Sequence, residues 1–135
     1  MNASFEMPEG VDGASELEEW FGYWPTFHDA EVLSVALERK GTSRLRVHTW
    51  HMTNQVNERG YYVLTKHIVV SFLLENVTDC DLGAFNHQNA LNNLSVERES
   101  AGYKVTLWPC FGLNGSITAA RLRIELEPWT DAVQP

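Results

Sequence analysis

Lysine and arginine are missing from the first 38 residues, which carry nine acids: Glu6, Glu9, Asp12, Glu16, Glu18, Glu19, Asp29, Glu31 and Glu38. From Arg39 onward nine acids face ten bases, so the formal charge of −8 on the 135-residue chain originates in its N-terminal part. An acidic balance repels phosphate backbones, and no nucleic-acid partner is expected. Cysteine is scarce too. Cys80 and Cys110 form no Cys-x-x-Cys pair, and in a reducing compartment they read as buried free thiols, not as a disulfide. Met1–Glu6 has neither a basic nor an apolar stretch, so no targeting signal is expected there. The longest apolar run, Ile68 to Leu74, is interrupted by Ser71 and is far short of the ~20 residues of a membrane span. The simplest compartment is the cytoplasm, without membrane association. Glycines do not cluster at a strand-to-helix turn and no Gly-x-Ser-x-Gly occurs, which excludes a phosphate-binding loop and a serine-hydrolase elbow. No cofactor is expected.

What is present is enough apolar material for one core: 44% hydrophobic against 21% charged residues, which excludes disorder. Residues 1–13, with Pro8, Gly10 and Gly13, read as an irregular lead-in to a single domain over 14–130. Ser15 reads as a helix N-cap, with Glu16, Glu18 and Glu19 in the first turn at the positive end of the dipole. Leu17, Trp20 and Phe21 give that short helix an apolar stripe, and Gly22 ends it.

From Glu31 the period becomes two. Leu33, Val35 and Leu37 share one face of a strand, and Lys40–Ser43 turns into a second strand over Arg44 to His51. The longest strand, about Tyr61 to Asn76, is apolar on both faces around Ile68–Leu74 and should be central. Three more strands run near Leu94–Glu99, Tyr103–Cys110 and Ser116–Glu127. For residues 86–93 a one- or two-turn helix and a packed loop both fit the spacing. The fold class is therefore α+β: a mostly antiparallel twisted sheet of about six strands, with the N-terminal helix packed on one face. An exposed strand edge would allow a homodimer.

Three constellations carry chemistry. His28-Asp29 resembles the His-Asp pair of metal-dependent phosphohydrolases, although it lies in an aromatic loop and not on a helix; structurally, Asp29 would accept backbone N–H groups and His28 would bond a carbonyl. His48, His51 and His67 would converge on zinc only through a bulge, because 48 and 51 differ by an odd number and point to opposite faces of a regular strand. Trp24, Trp50, Trp108 and Trp129, with Tyr61, Tyr62 and Tyr103, would make either core or a ligand-stacking platform. Trp50 and Trp108 face away from the core residues of their strands and are the better surface candidates.

The stretch Trp20-Phe21-Gly22-Tyr23-Trp24-Pro25-Thr26-Phe27-His28-Asp29-Ala30-Glu31-Val32 resembles the immunity protein 50 family of bacterial polymorphic-toxin systems. The likeness continues in Leu45–Trp50, in His67–Phe72 and in Gly83–Leu91, and extends over residues 17 to about 127. The resemblance implies a small protein that binds and neutralises a toxin domain and is not an enzyme. It also implies a fold-holding role for the motif residues Pro25, Phe27, Glu31, Asn86, Gln88 and Asn89. The acidic N-terminal region suits a basic toxin such as a nuclease, which makes Glu16, Glu18, Glu19, Trp24, His28, Asp29, Trp50 and Trp108 the candidate partner-binding residues. The competing readings are a metal-dependent hydrolase built on His28, Asp29 and the sheet histidines, and an aromatic-platform module for a small ligand.

Overall fold

Leu17 and Phe21 stand four residues apart, and in the computed structural model, which describes residues 7–130, both point into the core from helix α1 (Ala14–Phe21). Gly22 ends α1 at φ 83°, and its N–H bonds the Glu18 carbonyl at 2.7 Å, as the sequence predicts. The start differs. Gly13, at φ 88°, and not Ser15, precedes the first turn, and Ser15 Oγ donates to Glu16 instead. The cause is tertiary: a Cβ at position 13 would lie 1.9 Å from the Ile124 carbonyl oxygen, so glycine lets the chain pass this close. Of the three helix acids only Glu16 falls in the first turn, and the dipole acts weakly on Glu18 and Glu19.

Six strands follow: β1 (Glu31–Ala36), β2 (Thr42–Val56), β3 (Tyr62–Gly83), β4 (Ala90–Glu99), β5 (Gly102–Phe111) and β6 (Asn114–Pro128). All neighbours pair antiparallel, which gives the α+β, mostly β fold expected from the hairpin spacing. The sheet does not lie open under the helix, however. Its order is β1-β2-β3-β6-β5-β4 and β4 returns to β1, closing a barrel.

β3 is the central strand. It pairs with β2 from Tyr62 to Glu75 and with β6 from Ile68 to Gly83, so only its middle has partners on both sides. There Ile68, Val70, Phe72 and Leu74 fill the barrel, while Val69, Ser71 and Leu73 are buried on the outside. Long side chains from the neighbouring strands roof that outer face: Arg46 reaches Glu127 at 3.2 Å, and Ser71 donates to the same carboxylate. The Ser71 bond first, then Arg46, holds the Glu127 carboxyl below its ordinary range. Beyond Asn76 the strand continues further than alternation suggests, because a bulge between Val77 and Asp79 restores pairing with β6. At the other end β6 stops at Pro128, and Tyr62–Lys66 continues with β2 alone as a two-stranded arm.

Three local readings change. In β1 a bulge between Val32 and Ser34 shifts the phase, so Val32 is buried and Val35 half-buried, while Leu37 is exposed. Residues 86–89 form the loop and not the helix: Asn86 Oδ1 accepts the N–H groups of Gln88 and Asn89, a local turn that competes with helix, and β4 begins at Ala90. Cys80 and Cys110 are exposed free thiols instead of buried ones, on β3 and β5 with β6 between them. Cys80 sits where β3 has left β2 and pairs with β6 alone, at Ile117, so β3 is covered there on one side only.

Residues 7–13 have no helix or strand of their own but are tied down. Val11 is buried, the Asp12 carbonyl accepts from Ile124 N–H at 2.7 Å, and the Glu9 carbonyl accepts from the Tyr103 hydroxyl at 2.8 Å. This covers the β6 edge that β5, whose pairing ends at Ala119, leaves open. The rest of the lead-in, Met1–Glu6, lies outside the described residues. Among the described residues no helix is long and apolar enough to cross a membrane.

Candidate functional site

The barrel seam is where the two most distinctive stretches of sequence meet. Between α1 and β1, Phe27 and Asp29 both take left-handed backbone, φ 65° and 66°, and the turn drives Phe27 inward. Its ring packs 5.7 Å from Phe72 and edge-on 6.1 Å from Trp24, with Pro25 buried beside it. From the same turn Asp29 N–H donates to the Leu91 carbonyl at 2.9 Å, and Leu91 N–H donates to Ala30 at 2.8 Å. His28 Nδ1 donates to the Asn92 carbonyl at 3.1 Å. The ladder itself contributes only the pair Glu31↔Ala90, so this turn does most of the closing.

Asn89 completes the seam from the other side. It is buried, its Oδ1 accepts from Asn86 N–H at 2.8 Å and Leu113 N–H at 3.1 Å, and its Nδ2 donates to the Val32 carbonyl at 3.4 Å. One amide thus joins the 86–89 loop, the β5–β6 connection and β1. Gln88, by contrast, is exposed and enters through its backbone N–H alone.

The histidines separate into two groups. His48 Nε2 lies 3.0 Å from His67 Nδ1, and His48 Nδ1 lies 3.4 Å from Glu31 Oε1. Trp129 covers the His48 ring in a parallel stack, and Trp50 lies 4.8 Å away. Burial first, then the neighbouring His67, pushes His48 down to about 4, so it is neutral near pH 7; burial also raises the Glu31 carboxyl. The pairing of β2 with β3 does shift between Thr49 and His51, but His51 turns to the Tyr23 hydroxyl at 2.6 Å and does not join the other two. Among the described residues no three His, Cys, Asp or Glu side chains stand close enough to hold a metal ion. His28 and Asp29, 3.6 Å apart, are both half exposed.

The tryptophans separate as well. Trp50 and Trp129 meet around His48, Trp24 turns to Phe27, and Tyr103 is buried. Trp108 is half exposed on β5, opposite β2 in the ring, with its Nε1 donating to Ser95 Oγ at 3.2 Å. No seven-ring platform forms. Glu16, Glu18 and Glu19 are exposed on α1. A groove of about 200 Å³ separates the turn at 23–29 from β2, walled by Tyr23, Trp50 and Met52 with Asp29 at its lining. Sequence reasoning missed the exposed apolar side chains Trp20, Met52, Val56 and Leu64. The signal was there in Met52 and Val56, apolar residues on either side of the polar run Thr53-Asn54-Gln55.

The barrel interior is filled by side chains, so the geometry defines a small barrel whose distinctive groups are on its outside and at its seam. Residues 13–126 match the family model of immunity protein 50, and the chain belongs to that family. No curated protein and no solved structure matches it.

Proposed function

We propose that this protein is a non-enzymatic immunity protein that binds and neutralises a cognate toxin domain in the cytoplasm, acting as a single domain over residues 14–130. The observation that carries this reading is the family match over residues 13–126. The placement of His28 supports the absence of catalysis: its Nδ1 is already engaged with the Asn92 carbonyl of β4, and the neighbouring Asp29 is tied to the same strand through its backbone N–H, as parts of the seam. The acids of α1 support a basic partner such as a nuclease, since a negative surface steers a positive one to encounter.

The direct test mixes the purified chain with the polypeptide encoded by the adjacent gene. Submicromolar binding, with loss of that polypeptide's toxicity on co-expression, is the expected result. A chain that neither binds it nor protects against it would defeat the reading. Stoichiometric zinc or manganese held by the histidines of the purified protein would instead favour the metal-dependent hydrolase.

A further inference from the structure

We infer that one continuous surface, made by α1, the groove at Asp29 and the two-stranded arm, is the docking face for a basic protein partner. The inference rests on the immunity reading and names the face that would serve it.

The arm is the first reason. N-terminal to Ile68, β3 has no β6 beside it, and the cross-strand couples Met52↔Leu64 and Val56↔Tyr62 have no layer of the fold to pack against. Met52, Tyr62 and Leu64 are 49%, 55% and 38% exposed. Isolated two-stranded ribbons are marginal in water, and grouped apolar side chains on one mark a surface that a partner covers.

The second reason is that the arm is not loose. Trp20 Nε1 donates to the Lys66 carbonyl at 3.0 Å, and Lys66 Nζ donates back to the Trp20 carbonyl at 3.1 Å. Tyr23 and His51 add their bond at 2.6 Å. Helix and the base of the arm are therefore held in one arrangement before any partner arrives, which lowers the ordering cost of binding.

Charge selects the occupant. Glu16 lies one turn from Trp20 on the same helix face, with Glu18 and Glu19 exposed on the same helix, and the arm carries the cations Lys66 at its base and Arg59 in its turn. The groove beside them offers aromatic walls and one carboxylate, the surroundings that suit a lysine or arginine side chain: its stem lies along Tyr23, Trp50 and Met52, and its charge meets Asp29. A second copy of this chain would bring the same acids against these. Tyrosine and tryptophan are also the residues that most often dominate interface energies.

The test measures binding of the adjacent-gene product to the full chain and to three variants of unchanged melting behaviour. Tyr62→Ser with Leu64→Ser should weaken binding by about 100-fold. Asp29→Asn should slow association and reduce its salt dependence, and Asp81→Asn, exposed at the opposite end of β3 from the arm, should bind as the parent does. Loss of binding in Asp81→Asn with none in the arm variant would overturn the inference and leave immunity standing. A parent chain that does not bind that product defeats the immunity reading and the inference with it. If the chain alone sediments as a dimer that the arm variant dissolves, the occupant is a second copy and the inference fails. Should the arm variant not fold, hydrogen exchange on the parent decides: slowing at Met52 and Leu64 on adding the product supports the face, and unchanged exchange there overturns it.

Discussion

His48 lies flat against Trp129, ring centroids 3.5 Å apart and planes 5° from parallel. With Glu31 at Nδ1 and His67 at Nε2 it has no room for a solvation shell, and it stays neutral until the pH reaches about 4. The unfolded chain takes up that proton near pH 6.5, so the stability due to neutral His48 is complete above 6.5 and is lost as the pH falls toward 4. Between about pH 7 and about pH 5 the loss should be roughly 2 kcal/mol at most, at ~1.4 kcal/mol per pH unit. Glu31, raised by burial, binds its proton earlier in the folded state and offsets part of this. Urea midpoints at the two pH values measure the slope. His48→Gln should flatten it, and equal slopes in parent and variant would refute the assignment.

Phe27 combines a buried ring with left-handed backbone, and the two properties can be separated by substitution. Phe27→Ala should cost about 3–5 kcal/mol through the cavity left against Phe72 and Trp24. Phe27→Gly removes the same ring but relieves the backbone, so it should be about 1 kcal/mol less damaging than alanine. Denaturant midpoints of the two variants check the order, which would reverse if the backbone were relaxed.

Asn89→Ala removes the acceptor for two backbone N–H groups and the donor to Val32. Leaving buried groups unpaired costs about 1–3 kcal/mol each, so a loss of roughly 2–4 kcal/mol is expected. The damage should be local to the seam. Amide exchange should accelerate at Leu113 and Leu91 and remain slow at Val70 in β3; uniform acceleration would contradict a seam role.

Glu16, Glu18 and Glu19 are exposed, so replacing all three with Gln should leave the melting temperature nearly unchanged. Against a basic toxin domain the same variant should associate more slowly and with a flatter dependence on salt. Stopped-flow association at low and high ionic strength reads this directly. An unchanged rate would remove the α1 acids from the recognition step.

The α1 stop at Gly22 and the central place of β3 were readable in advance, because both rest on neighbours in the chain: a glycine after an apolar stripe, and alternation with both faces apolar. The α1 start was not, since it depends on how closely Gly13 approaches Ile124, a strand more than a hundred residues away. The same holds at the seam. Nothing local marks Asn89 off from Asn92 or Asn93, and its partners Leu113 and Val32 are 24 and 57 positions distant. Among the described residues the acids of the first 38 likewise divide between the lead-in at Glu9 and Asp12, the helix, the seam and the β1–β2 connection, a distribution that a running charge does not reveal.

Six strands and one helix, the antiparallel pairing of the hairpin-joined strands, the family motif and the acidic N-terminal region are all legible along the chain. Periodicity, turn residues and charge are properties of neighbours in the chain, which is why they can be read there. The closing of the sheet, the meeting of His48 with His67 and Trp129 while His51 meets Tyr23, and the exposed arm where β2 and β3 outrun β6 arise only in three dimensions. Each of these depends on bulges and on where a partner strand stops. A one-residue slip in either reverses which face a side chain occupies, and no local pattern records it.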